Sequence, residues 1–508
     1  MASEIRVNKI ENRSGLGTVT FADTGVDLAG IVTATTFSGS GASLTDLPAG
    51  NLSGTVADAR LTTVSSSKLS GALPALDGSA LTGVASTENI RTNTNATFLQ
   101  NVNVSGSTTT GTTIVGGGVT ISESGIEASG IGITCANING TQIGGRRNLV
   151  INGDMRVAQR GTSSTTNGYG DLDRWKHEFS TVNESPTFAQ VSLTTSDTPY
   201  TLGLTKAAKI TNGNQTSGLQ ASSLVNFNQN FEAQDLRNSG WNYKSDTSYL
   251  TLSFWVRASV AQNYHGFVKT QDGSNYSWSY ETGALSANTW TKIVKKIPGN
   301  SNLTINDDTG GGFQIFPIFF AGTNYTSDSI SNDTWKAWSS SERSKDQTAT
   351  WFATNDATLE ITGVQLEVGS QDTPFEHRSY GEELRLCQRY FYSILNQGWE
   401  TAGQQGSYVA LGVYLGGSKM SAYIYHPVEM RVNPTLVEGT GSNYWNFYRA
   451  DGADNFNGLD GIITNSAAPH GTRFTLTEVQ SNVSGTGGHA GIISIINDNA
   501  YLQFSAEL

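Results

Sequence analysis

Leu252-Ser253-Phe254-Trp255-Val256-Arg257 places Leu252, Phe254 and Val256 on one face of an extended chain and Ser253, Trp255 and Arg257 on the other. Alternation at period two is the mark of a half-buried strand. The same reading holds for Trp290 to Ile297, which closes on the turn Pro298-Gly299. It holds again for Phe313 to Phe320 and for Leu359 to Val368. Several short strands separated by turn signals point to an all-β sandwich across residues 146–381.

Composition agrees. The chain of 508 residues is too long for one domain and is only 15% charged. Much Gly, Ser, Thr and Asn with few Lys and Glu disfavours helices. A net charge of −12 argues against nucleic acid, whose binders cluster Lys and Arg. No apolar run approaches the roughly 18 residues of a membrane span. The start, Met1-Ala2-Ser3-Glu4-Ile5-Arg6, lacks a signal-peptide hydrophobic region, so synthesis in a cytoplasm is expected. Cys135 and Cys387 lie far apart in different expected domains and do not read as a disulfide scaffold.

All 10 Trp, all 18 Tyr and all 6 His lie after residue 145. Before it, the aromatics are Phe21, Phe37 and Phe98. Ile5, Val7 and Ile10 suggest a short strand at the extreme N-terminus. Irregular repeats follow: Gly41-Ala42-Ser43-Leu44-Thr45 returns as Gly78 to Thr82, Leu47-Pro48-Ala49 as Leu73-Pro74-Ala75, and Leu52-Ser53-Gly54 as Leu69-Ser70-Gly71. A flexible Gly/Ser linker is one reading. The recurring single Leu, Val and Ile favour another, a homotrimeric β-fibre in which three chains bury these residues on a common axis.

The stretch Thr35 to Thr45, with the Leu-Pro-Ala and Leu-Ser-Gly repeats, resembles the shaft of bacteriophage tail fibres, particularly those of cyanophages and other marine phages. Asn148-Leu149-Val150-Ile151-Asn152-Gly153-Asp154, the triplet Asp173-Arg174-Trp175, and Ile361-Thr362-Gly363-Val364-Gln365-Leu366-Glu367 together resemble the carbohydrate-binding-module-like jelly-roll domains of such fibres. The segment from Tyr423 to Thr435 is similar to their C-terminal domain. The resemblance implies an elongated homotrimer: residues 1–40 attached to the virion, a shaft at 41–145, a jelly roll at 146–381, a short helical neck at 382–397 and a β tip at 398–508. It implies a virion protein whose partners are its own copies, a baseplate or other tail or neck protein, and a host surface polysaccharide or other receptor. A head or neck fibre, or a tailspike that degrades polysaccharide, remains the alternative.

Two kinds of site follow. Related sugar-binding jelly rolls often hold a structural calcium through an aspartate in the last strand, but Ile361 to Val364 carry no carboxylate. Asp307 and Asp308 are the weak remaining candidates, with ordinary turn chemistry the competing reading, and no cofactor is expected. Sugar faces need exposed aromatics beside amides or carboxylates. Tyr276, Trp278 and Tyr280 share one strand face, and Trp335 and Trp338 sit in a polar stretch. Tyr444, Trp445 and Tyr448 form the densest aromatic cluster of the tip. Burial in a core or a trimer contact competes with each, and Trp255 and Trp290 read as core. Ser379 with Glu382 forms a capping box ahead of Leu384, Cys387, Phe391 and Ile394, spaced as a helical stripe. That helix either forms a trimeric neck or packs on the jelly roll. No nucleophile elbow, metal helix or recognisable carboxylate pair marks an enzyme.

Overall fold

The computed structural model describes residues 9–11, 18–23, 25–28, 30–36, 38–40, 45–46, 146–395, 408–416, 419–439, 441, 444–448, 456–459, 463–464, 472–479, 485–495 and 497–508. Two compact units divide the chain, Met1–Thr120 and Ile121–Leu508. In the first, β1 (Lys9–Glu11), β2 (Thr18–Ala22) and β3 (Gly25–Leu28) form an antiparallel sheet in which Ile10 pairs with Val19. Ile5, Val7, nearly all of the repeats and Cys135 lie outside the described residues.

In the second unit, β4 (Ser163–Ser164), β5 (Lys176–Ser180), β6 (Thr187–Ser192), β7 (Lys206–Thr211), β8 (Leu224–Glu232), β9 (Tyr249–Ala258), β10 (Asn263–Thr270), β11 (Tyr276–Ala284), β12 (Thr291–Pro298), β13 (Gly311–Ala321), β14 (Trp335–Ala337) and β15 (Thr358–Val368) build two six-stranded antiparallel sheets. Their orders are β14-β11-β10-β13-β8-β5 and β12-β9-β15-β7-β6-β4. The sandwich expected from alternation is present. Leu250, Leu252, Phe254, Val256 and Ala258 of β9 are all buried in the shared core. In register, Phe254 faces Ile293 and Leu252 faces Leu366. Trp175, Phe227, Trp278 and Phe320 fill the same core.

The three quoted motifs meet at one place. Leu149 N donates to Leu366 O at 2.9 Å, and Val364 N to Gly153 O at 2.9 Å. The Asn148 side chain accepts from Val150 N and Leu366 N. Asn152, at φ 59°, donates to Asp173 O, and Trp175 Nε1 donates to Asn152 O at 3.0 Å. Gly153 must be glycine, because a Cβ there would collide with the Val364 carbonyl oxygen. Glu376 accepts from Arg147 N and Asn148 N, so the chain enters and leaves the sandwich at one corner.

A capped helix follows, Tyr380–Gln388, with Glu382 N donating to Ser379 Oγ at 3.2 Å. Leu384 and Cys387 pack with Ile151, Val157 and Tyr390, so the helix lies on the sandwich. The expected stripe corrects here. Phe391 and Ile394 belong to a strand, because the helix ends at Gln388 and the chain goes on to pair with β25 (Leu502–Ser505).

That distal region holds β16 (Phe391–Leu395), β17 (Tyr408–Gly416), β18 (Lys419–Tyr425), β19 (Thr435–Glu438), β20 (Trp445–Tyr448), β21 (Phe456–Leu459), β22 (Ile463–Thr464), β23 (Phe474–Val479), β24 (Ala490–Ile495) and β25 (Leu502–Ser505). They form the sheets β16-β25-β19 and β21-β20-β24-β17-β18-β23-β22. Buried polar contacts join this region to the sandwich. Glu232 accepts from Arg389 at 2.7 and 2.8 Å and from the Tyr390 hydroxyl at 2.6 Å. Arg174 pairs with Glu507 and stacks 3.4 Å from the Tyr390 ring centre. Arg160 reaches Glu507 at 3.1 Å and lies 3.4 Å from the Phe391 ring centre. No helix among the described residues is long and apolar enough to cross a membrane.

Candidate functional site

One outer face of the sandwich carries an unusual mixture. On β10, alternation sends Val268 inward and His265, Phe267 and Lys269 outward. Register then aligns rows across the sheet. Ser279, Phe267 and Phe316 form one row. Glu281, His265, Phe319, Asn226 and Glu178 form the next. Phe267 stacks on Phe316 at 4.0 Å and meets Phe319 edge-on at 5.0 Å. Around this trio, Ser277 Oγ, Ser279 Oγ, His265 Nδ1, Asn228 Oδ1 and Asn230 Oδ1 are buried without a hydrogen-bond partner in the chain. Buried polar atoms are normally paired, and these five lie beneath the surface of this face rather than on it.

The segment after β13 roofs part of this face. β14 pairs with β11, Trp338 N donates to Asn275 O at 2.9 Å, and Asp333 N donates to Ser279 O at 2.8 Å. Trp338 thereby lies over Phe267, with ring centres 5.7 Å apart. Lys269 Nζ sits 4.4 Å from the Trp338 ring centre, and Arg343 stacks on Tyr325 at 4.6 Å. Burial, helped by Arg343, pushes the Lys269 ammonium below its ordinary pKa. Burial also lowers His265. Burial raises the Glu281 carboxyl, but amide donors from Asn263 at 2.8 Å and Asn332 at 2.6 Å outweigh it and hold the group low. The accessible part of the face therefore offers the half-buried Trp338 and Tyr325 rings, a cation in Lys269 and a carboxylate in Glu281, which is chemistry a polyol ring can use.

The sequence candidates fall elsewhere. Tyr276, Trp278 and Tyr280 do share a face of β11, but it is the inner one. Trp278 is 1% exposed and Tyr280 is fully buried, with its hydroxyl on Pro317 O at 3.0 Å, while Tyr276 is half-buried against the core. A buried ring cannot present its face to a sugar. The intervening Ser277 and Ser279 point to the polar face instead. Trp335 packs against the core, and Trp338 reaches the site. In the distal region Trp445 is buried and donates to Gly439 O, so it too is a core residue. Tyr444 is half-buried, and the Tyr448 backbone pairs with Ile492, its side chain lying outside the described ones. Exposed tyrosines among the described residues there are Tyr408 at 54%, Tyr423 at 57% and Tyr425 at 73%. Asp307 accepts from Asn238, and Asp308 from Gly310 N at 2.9 Å, a turn bond. Among the described residues no three His, Cys, Asp or Glu converge as a metal site. Trp255 and Trp290 are half-buried on the outer face of the other sheet, because alternation gives the core position to Phe254.

No family model matches the chain, and no curated protein matches it. Solved structures do. The enzymatically active domain of tailspike protein 4 of Bacteriophage CBA120 is similar over 44% of this chain and 21% of its own, at 10% identity and a TM-score of 0.23. The family 11 carbohydrate-binding module of Clostridium thermocellum, in complex with a β-1,3-1,4-mixed-linked tetrasaccharide, is similar over 42% and 98%, at 10% identity and 0.20. The N-terminal CBM22-1–CBM22-2 tandem domain of Paenibacillus barcinonensis Xyn10C is similar over 74% and 98%, at 10% identity and 0.21. The chain thus spans about a fifth of the tailspike domain it matches. The sandwich assignment rests on the strand order itself.

Proposed function

We propose that this chain binds a surface polysaccharide through the outer face of the β14-β11-β10-β13-β8-β5 sheet, as the adhesion subunit of a homotrimeric phage tail fibre. The observation that carries the reading is the half-buried Trp338 ring with the Lys269 ammonium 4.4 Å from its centre, backed by the buried Phe267–Phe316–Phe319 cluster. The repeats of residues 41–145 and the three converging motifs support the fibre context. In it, residues 1–40 attach to a baseplate, tail or neck protein. Each site is weak, about millimolar or 4 kcal/mol. Copies on one particle supply avidity, on the order of 10²–10⁴ per linked pair.

Binding without cleavage fits this face better than hydrolysis. Glu232 of the same face is buried and paired with Arg389, and the two part-exposed strand carboxylates, Glu178 and Glu281, stand four strand spacings apart in one row. That is about 19 Å, whereas glycosidase pairs stand roughly 5–10 Å apart. The test is titration of the intact protein with host surface polysaccharide, alongside W338A and K269A. Each should weaken binding at least tenfold with little change in unfolding midpoint, and no reducing ends should appear. Unchanged binding in both variants would overturn the assignment of this face.

A further inference from the structure

The opposite sheet carries a second concavity. Its cavity of about 560 Å³ opens on the outer face of the β12-β9-β15-β7-β6-β4 sheet, far from the Phe267 cluster because the whole core lies between. Trp255 forms one wall, Phe375 another, and Leu202 and Leu204 a third. The volume and mostly apolar lining fall in the range of small-ligand sites.

Local backbone chemistry makes this space. β15 shifts register between Thr362 and Gln365, and Gly363 takes φ 62° in that bulge. A side chain there would strike Leu204 and crowd Trp255. The segment after β15 is pinned across the cavity. Thr373 N donates to Glu367 at 2.8 Å, and Glu376 N to Gln365 Oε1 at 2.8 Å. His377 Nε2 stands 2.9 Å from Leu202 O, tying this segment to the turn that carries Leu202 and Leu204. The walls are therefore held in place before any ligand arrives, which lowers the ordering cost of binding.

The rim decides the ligand class. Lys292, in register with Trp255, forms an ion pair with Asp372 at 2.6 Å, each side chain about one-third exposed (34% and 35%). An alkyl or purely aromatic ligand would strip water from this pair and replace no hydrogen bond. A sugar ring meets both demands. Its C–H face covers Trp255 and Phe375, while vicinal hydroxyls donate to Asp372 and accept from Lys292. The geometry points to a second saccharide-binding site at Trp255, Phe375, Lys292 and Asp372, independent of the Phe267 face. One sandwich then holds glycan on two opposite sides and can bridge neighbouring strands of a polysaccharide.

The test uses saturation-transfer difference NMR on the intact chain in the W338A background. The probes are neutral oligosaccharides built from glucose, galactose, mannose or rhamnose, with octanoate as the apolar probe. At least one sugar should show ring-proton saturation that falls tenfold or more in W255A and about fivefold in D372N or K292M. The latter two alter only the exposed rim, so they keep the test valid if W255A fails to fold. Octanoate saturation that depends on Trp255, with no sugar binding, would overturn the proposal. So would sugar binding indifferent to all three substitutions, or no sugar binding at 10 mM (roughly 3 kcal/mol). Failure of the Phe267 face reads differently: W338A alone would then change nothing, while W255A would still remove binding.

Discussion

Replacing Glu507 by Ala should be among the most damaging single changes to the Ile121–Leu508 unit. Arg174 is 1% exposed and Glu507 5%. Removing the carboxylate leaves the Arg174 guanidinium buried, with a ring face and the Asn230 carbonyl but no counter-charge. Breaking one side of a buried pair costs about 3–5 kcal/mol. Arg160 loses the same partner, though it keeps Asp173 at 4.0 Å. The cost should appear in urea unfolding followed by tryptophan fluorescence, as a lower midpoint at unchanged slope. The cause is separable by a double-mutant cycle. R174M/E507A removes both charges from a site already lined by Tyr390 and should recover at least about 2 kcal/mol relative to E507A. A cost below about 1 kcal/mol for E507A, or a double variant less stable than E507A, would refute the argument that an uncompensated buried charge sets the loss.

Three further outcomes are expected. Burial pushes the Asp173 carboxyl from its ordinary 3.8 up to about 6. Its stabilising contribution is therefore full below pH 4 and lost as pH rises to 6, so a pH series of unfolding midpoints should show a fall of about 3 kcal/mol that D173N lacks. Burial holds His426 down at about 4, between Tyr392 and Phe504. Its contribution is present above pH 6.5 and fades as pH falls to 4, worth on the order of 1–2 kcal/mol after solvent screening, and H426Q should flatten that acid limb. G153A should lower stability by about 1–3 kcal/mol through overpacking, since the new methyl meets the Val364 carbonyl oxygen. A thermal melt unchanged by G153A would contradict this.

Period-two alternation made the sandwich legible. β9, β12, β13 and β15 appear where the pattern puts them, because a strand with one buried face writes that face into every second residue. Alternation also says which residues share a face without saying which face is inside. Tyr276, Trp278 and Tyr280 do share a face, and of the two sides open to them they take the inner one, leaving Ser277 and Ser279 on the outer side. The helical stripe misled for another reason. Spacings of three and four ran on through Phe391 and Ile394 after the helix had ended, since strand pairing with β25 won over local periodicity. Phe267, Phe316 and Phe319 gave no signal as a site, because only the pairing of β10 with β13 brings them together.

The shared corner where the chain enters and leaves the sandwich has a mechanical consequence. A pull applied between residues 146 and 379 does not travel through the β-sheets. It loads the Glu376 contacts to Arg147 and Asn148 first, then the Arg378 bonds to Asn148 and Val150, and then the Leu149–Leu366 bond. The core strands sit off the line of tension, like a bead hung beside its thread. Tension on the chain at this point would strain the small clamp while the two six-stranded sheets keep their geometry.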